Sequence, residues 1–352
     1  MTASPTQEGP KYVTAAGTQL PVRPEWLALR HEEIVEPEVP VIDPHHHLWD
    51  PAGRRYLFDE FLEDVSTGHN VVATVFVQCH AMYRASGPHA LKPVGETEFV
   101  AGVAARSESG GYGPTRVCAG IVGSVDFALG DAVAEVLEAH IRAGGGRFRG
   151  IRGRTSWDGS SDVHKLPTPP GVMMEKSTRD AVRQIQRAGL TLDLWAFHTQ
   201  MDEAFDLCAE FPDLPIVINH VAGPLGAGPY AGRREEIFPI WASKIRRLAE
   251  LPNTFMKVGG LGMRFTGYEF HLQDRPPSSD DLVSAWNPYV ETCIQAFGPA
   301  RCMFETNFPV DKAMCSYPVL WNAFKKMAAG YTPDERARLL CGTAAQFYRI
   351  EI

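Results

Sequence analysis

The sequence predicts an α/β protein whose main domain is a (β/α)8 barrel, a TIM barrel, preceded by a short N-terminal extension. Three observations predict it. Apolar, strand-like runs alternate with amphipathic stretches about eight times, the pattern of a parallel sheet covered by helices. Connections that leave the strands are long and rich in Gly and Pro, whereas several that enter them are only two or three residues. Histidines collect at the ends of the apolar runs. Long loops on one face are what the active face of a barrel requires, and eight units favour a barrel over a doubly wound sheet.

Residues 1–37 are rich in Pro, Thr and Glu and show little periodicity, so they read as an extension with one short helix starting at Pro24. The barrel is expected over 38–352. Its strands are predicted at 39–44, 71–79, 117–124, 148–152, 190–195, 214–219, 254–258 and 301–305. Helices are predicted at 96–106, 131–143, 176–188, 202–211, 233–251 and 282–297, with residues of one face three and four apart, as at Val133, Val136, Leu137 and His140 or Ile141. Gly144, Gly189 and Gly298 stop three of them. Two further helices, 319–329 and 333–348, close the chain.

Composition excludes several functions. A net charge of −8 and the lack of Lys/Arg runs argue against nucleic acid or a membrane surface as partner. No stretch approaches the ~18 apolar residues of a membrane span. The seven cysteines include no C-x-x-C pair and read as reduced, buried thiols. A cytoplasmic protein acting on a small molecule is expected; a homo-oligomer is compatible with the sequence.

The first strand ends in Asp43-Pro44-His45-His46-His47. In an extended strand side chains alternate, so His45 and His47 share one face, where two imidazoles can bind a divalent metal or an oxyanion. Other chemistry-bearing residues sit at later strand ends: Gln78 and His80, Arg149 to Arg154, His198, His220, Lys257, and Glu305-Thr306-Asn307. Among the arginines, Arg152 lies at a strand end behind the packing residues Phe148 and Ile151. An inward guanidinium there suits a carboxylate or lactone carbonyl; the plain alternative is a salt bridge. Lys257 stands on the strand next to Glu305, which suggests an ion pair. Gly259-Gly260-Leu261-Gly262 lacks the Lys-Ser/Thr of a phosphate loop.

Asp43-x-His45-x-His47, His198, Ile218-Asn219-His220 and Phe304-Glu305-Thr306-Asn307-Phe308-Pro309 together resemble the motifs of the amidohydrolase superfamily, from about residue 40 to 348. The resemblance points to the branch of 2-pyrone-4,6-dicarboxylate lactonase, fuconolactonase-like sugar lactonases and carboxymuconate-semialdehyde-type decarboxylases. It implies a metal-dependent-hydrolase barrel, with one divalent ion, zinc or manganese, held by His45, His47 and His198. The competing state is metal-free, the same histidines donating hydrogen bonds to the substrate carbonyl. Gln78, His80, Arg152 and Lys257 are the expected substrate contacts. Two departures stand out. Strand 4, Arg147-Phe148-Arg149-Gly150-Ile151-Arg152, has no lysine to bridge two metals. Asn307 stands where relatives carry an aspartate, and a carboxamide cannot accept a proton at neutral pH. Glu305, Asp311 and His220 are the candidates to move the proton in its place.

The leading expectation is a hydrolase that opens a lactone or related cyclic ester, or an amide, of a small carboxylated or sugar-derived metabolite. The alternatives are a metal-dependent non-oxidative decarboxylase and a non-catalytic small-acid-binding barrel. CO2 release, acid release without CO2, and a ligand returned unchanged distinguish the three.

Overall fold

The computed structural model describes residues 19–51, 53–163 and 168–352, so the first half of the extension and part of the 153–175 loop lie outside the described residues. Eight parallel strands form: β1 (Pro40–His46), β2 (Asn70–Val77), β3 (Arg116–Gly123), β4 (Phe148–Arg154), β5 (Thr191–Trp195), β6 (Ile216–Ile218), β7 (Thr254–Gly259) and β8 (Cys302–Glu305). They pair in the order β1 to β8. The segment after β8 closes the ring onto β1, through Asn307 N to His45 O (2.9 Å) and His47 N to Phe308 O (2.7 Å). Asp43 joins the closure, accepting from Thr306 Oγ1 (2.5 Å), Thr306 N (3.1 Å) and Tyr317 Oη (3.2 Å). This is the (β/α)8 barrel that the alternating pattern predicts.

The helices follow the expected positions with two differences. Phe58–Val65 is a helix that the sequence reading passes over, because it is one eight-residue amphipathic turn pair burying only Phe58, Phe61, Asp64 and Val65. The last predicted helix is three pieces, Pro333–Ala337, a π-turn at Arg338–Gly342 and Thr343–Tyr348. An added residue per turn re-aims the final piece, and Phe347 and Tyr348 pack with Ile42, Val75, Val217 and Met303 of the barrel interior. All seven cysteines are free and buried. Among the described residues, no helix is long and apolar enough to cross a membrane.

Candidate active site

A cavity of about 310 Å³ opens where the strands meet the long loops. Its buried floor is His47, Gln78, Arg152, His220 and Asn307, and Trp195, Phe197 and Phe265 form one wall. The three aromatic rings pack edge to face or tilted at 5.0–5.5 Å, a mutually braced apolar wall.

β1 delivers its histidines to opposite sides. His46 turns outward, stacks on Phe61 at 3.9 Å and bonds Thr74 Oγ1 (2.9 Å). His45 and His47 turn inward, ring centroids 5.0 Å apart. His47 Nδ1 lies 2.8 Å from Val77 O, which takes its N–H, and the ring also meets the Asn307 side chain at the cavity. His45 sits deeper, its Nε2 buried and without a protein partner among the described residues.

β6 ends in a backbone that L-residues rarely adopt: His220, Val221 and Ala222 have φ of 56°, 44° and 59°. The bend aims both the His220 amide (3.0 Å) and its Nδ1 (2.7 Å) at Glu305 Oε1. Arg152 Nη2 meets the other ring nitrogen, Nε2, at 3.3 Å. An arginine only donates, so Nε2 is the acceptor and Nδ1 carries the proton given to Glu305. His45 Nδ1 approaches Glu305 Oε2 at 2.7 Å, but off the hydrogen-bond line, and Oε2 has no aligned donor. Burial, then neighbouring cations, holds the His45, His47 and His220 imidazoles neutral, well below their usual range. Burial also pushes the Glu305 carboxyl up to about 8 against the pull of Lys257.

The glycine run after β7 has a use of its own. A Cβ at Gly260 would lie 2.4 Å from His220 Nδ1, and one at Gly259 would lie 2.2 Å from Glu305 O. Gly262 gives its N–H to Asp311 Oδ2 (2.9 Å). Bare backbone here lets the His220 and Glu305 side chains meet. Asp311 Oδ1 accepts from Asn307 Nδ2 (2.8 Å), so the carboxyl that could swing in is tied beneath Asn307, and burial pushes it up to about 8.

The remaining candidates are placed as follows. Gln78 lines the cavity, and neither end of its carboxamide has a protein partner among the described residues. Arg152 has no carboxylate partner there either; Nη1 bonds Gln78 O (3.3 Å) and Nε is unpartnered. His80, at φ 64°, lies against Arg154 Nη1 (2.6 and 2.8 Å) rather than on the cavity wall. Lys257 is fully buried below the cavity, and the expected ion pair with Glu305 is not made: its ammonium is taken by Asp193 Oδ1 (2.6 Å), Pro44 O (2.9 Å) and His45 Nδ1 (3.2 Å). Asp193 is the nearer acceptor because β5 faces the same interior layer and Tyr348 and Asn219 hold it in place. His198 is three residues beyond β5. Its Nδ1 accepts from Leu225 N (3.2 Å), which makes Nε2 an N–H donor rather than a ligand lone pair, and burial brings the ring down to about 4. Ser156 and the aromatic wall line the cavity without having been expected there, and Arg154, passed over in favour of Arg152, lines it too. For Arg154 the signal was available, because it stands two residues from Arg152 and so shares its face.

Among the described residues one group could hold a metal ion: His45, His220 and Glu305 each offer a ligand atom within 4.8 Å of the others, all buried. Two imidazole nitrogens and a carboxylate oxygen suit zinc or manganese, and the unaligned Glu305 Oε2 leaves bonding capacity there; His45 would join as a ligand by giving up the Nε2 proton or the Lys257 contact on Nδ1. The structure brings His45 into this group and leaves His47 and His198 outside it.

Comparison with known proteins bears on the family and the fold. The y4mH protein of Sinorhizobium fredii is 32% identical over 335 residues, covering 89% of this chain and 99% of that one. An L-fucono-1,5-lactonase of Burkholderia ambifaria is 26% identical over 327 residues, covering 88% and 96%. A zinc-bound amidohydrolase structure from Burkholderia multivorans shares the fold with a TM-score of 0.68 at 23% identity, covering 88% of this chain and 99% of that one. The amidohydrolase family model matches residues 42–350, nearly the whole barrel, and this chain belongs to that family.

Proposed function

We propose that this protein is a lactonase-type hydrolase that opens a small, flat, carboxylated cyclic ester by attack of water at the ring carbonyl. One observation carries the reading: His220 stands between the cavity and Glu305, with its unprotonated Nε2 beside the Arg152 guanidinium. A base, a carboxyl group behind it and a cation for the developing oxyanion meet at one point, while the Asn307 carboxamide cannot accept a proton. The lactonase among the relatives supports the reaction class.

The chain's own residues suffice to write the steps. The substrate ring lies against Trp195 and Phe265, and its carboxylate meets Arg154 and Ser156 at the side of the cavity. Burial brings Arg154 down to about 10, so it remains a cation at neutral pH. Gln78 and Asn307 orient the carbonyl over His220. Water adds to the carbonyl carbon as His220 Nε2 takes its proton, and Glu305, in the ionised form that predominates above about pH 8, stabilises the imidazolium through Nδ1–H. Arg152 faces the oxyanion. As the acyl C–O bond breaks, His220 returns the proton to the leaving ring oxygen, giving a hydroxy acid.

A second reading concerns a cation and rests on the close, unaligned contact of His45 with Glu305. A divalent ion held by His45, His220 and Glu305 would polarise the carbonyl and lower the pKa of bound water. Arg152, Arg154, Gln78 and Asn307 would bind and orient the substrate as before.

The test is a panel of γ-lactones and pyrones, with and without carboxylates, assayed for acid release and for CO2. His220→Gln and Glu305→Gln should each lower kcat by about 100-fold or more, the range of a lost general base. Arg154→Ala should raise KM for carboxylated substrates with little change in kcat. Release of CO2, or full activity of His220→Gln, would defeat the proposal.

A further inference from the structure

The cavity has one wall that the barrel does not supply. Residues 19–38 precede the region matched by the family model and run as a strap across the ends of the β7 and β8 loops. The strap is fastened along its length. Arg23 donates to His271 O, Trp26 Nε1 to Gln273 O (2.9 Å) and Arg30 Nε to Pro276 O (3.2 Å). Glu32 accepts from Ser279 N (2.7 Å), and Val35 N donates to Asn322 Oδ1 (2.8 Å). Its own Trp26 and Leu27 are buried against the rest of the protein.

At its leading end Arg54 Nη1 holds the Gln19 carbonyl (2.5 Å), so the strap is pinned to the loop after β1 as well. Gln19 then lines the catalytic cavity beside Arg264 and Asp162, both exposed at the mouth. Leu20, Pro21 and Val22 line a second cavity, of about 380 Å³, with Trp49, Tyr56 and Lys312. Gln19 belongs to both. Residues 19–22 therefore form the partition between two adjoining spaces, and Trp49 on the far side stacks on His47 of the catalytic floor at 5.7 Å.

We infer that the strap closes the mouth of the catalytic cavity and that Gln19 is a specificity-determining residue. Its carboxamide, with two donors and an acceptor, meets a polar group on the part of the ligand that faces the mouth. The inference rests on the reading of the 310 Å³ cavity as the reaction site, but not on which reaction occurs there.

The experiment uses the full chain and isophthalate, a flat dicarboxylate with no hydrolysable bond and no chelating pair. Calorimetry measures its binding to the parent chain, to Gln19→Ala and to Gln19→Trp, while KM and kcat are measured on the best lactone. One hydrogen bond lost at a polar mouth predicts about five-fold weaker binding and a KM raised about five-fold in Gln19→Ala, with kcat within two-fold. The indole of Gln19→Trp should obstruct the mouth and weaken binding more than ten-fold. Equal isophthalate affinity in all three proteins overturns the inference while leaving the lactonase proposal standing. Weakened binding with no turnover of any lactone supports the inference and defeats the lactonase proposal. Isophthalate binding to none of the three, with KM unchanged, overturns it too.

Discussion

Lys257→Met tests the polar layer on which the site is built. Lys257 and Asp193 are both fully buried, 2.6 Å apart. The ammonium makes its two other contacts to Pro44 O and His45 Nδ1. An exposed pair of this kind would contribute only about 0–1 kcal/mol. Here methionine nearly refills the volume, so little cavity cost is expected. It leaves Asp193 a buried carboxylate held by Tyr348 Oη (2.8 and 3.0 Å) and Asn219 Nδ2 (3.1 Å) alone. Removing one partner of a buried pair costs about 3–5 kcal/mol, and Asp193→Leu should cost a similar amount by stranding the ammonium. The double variant strands no charge. Its loss should fall short of the sum of the single losses by about 2 kcal/mol or more, within the range of coupled neighbours. Urea unfolding followed by far-UV circular dichroism measures all four proteins. Additive losses, or a Lys257→Met variant within about 1 kcal/mol of the parent, would refute the view that this pair is a mutually dependent unit.

Three further outcomes follow from the buried acids and imidazoles. Glu96 is buried, accepts the Cys79 and Ala81 amides on Oε1 alone, and is pushed by burial up to about 7. A carboxyl whose folded pKa is raised loses stability as pH climbs from its unfolded value through the folded one, so the parent should weaken between pH 5 and 8 relative to Glu96→Gln; equal urea midpoint differences at the two pH values would count against this. Asn307→Asp replaces the Nδ2 that Asp311 Oδ1 accepts from at 2.8 Å with a carboxyl oxygen, so it should destabilise the fold above about pH 8, where Asp311 is ionised, and leave kcat no higher; a large gain in rate would argue against His220 as the base. Exhaustive chelation with mass-spectrometric metal analysis decides the cation: loss of activity restored by zinc or manganese, and abolished metal binding in His45→Ala, are the outcomes expected if His45, His220 and Glu305 form the metal site.

The barrel is legible in the sequence because helical and strand periodicities alternate and each strand end carries a turn signal. The inward placing of His45 and His47 is legible too, since a period of two needs no tertiary knowledge. The partners of Lys257 and Glu305 are not. Both side chains point into the same barrel interior, where strands far apart in sequence compete for one ammonium, and Asp193 on β5 takes it in preference to the adjacent β8. His198 shows the same limit. It follows a strand end as a ligand should, yet the segment after the turn at His220–Ala222 presents the Leu225 amide to Nδ1 and fixes the tautomer. The aromatic wall is assembled from residues after β5 and β7 and has no local signal at all.

The substitution at position 307 makes sense only together with its surroundings. A glutamate at 305 projects one layer deeper than 307 and reaches His220 and His45 because Gly259 and Gly260 clear the space beside it. His220 can turn its amide and ring to the same oxygen because residues 220–222 take left-handed backbone, and the Gly260 backbone that faces the ring itself has φ 68°. Each feature is costly alone: a buried carboxylate, a strained β-branched Val221, a glycine pair in place of packed side chains. Together they satisfy one another. On the proposed reading His220 and Glu305 handle the proton as one unit, so Asn307→Asp, with Asp311 and Glu305 still in place, should crowd a third carboxyl group into the same layer rather than supply a working base.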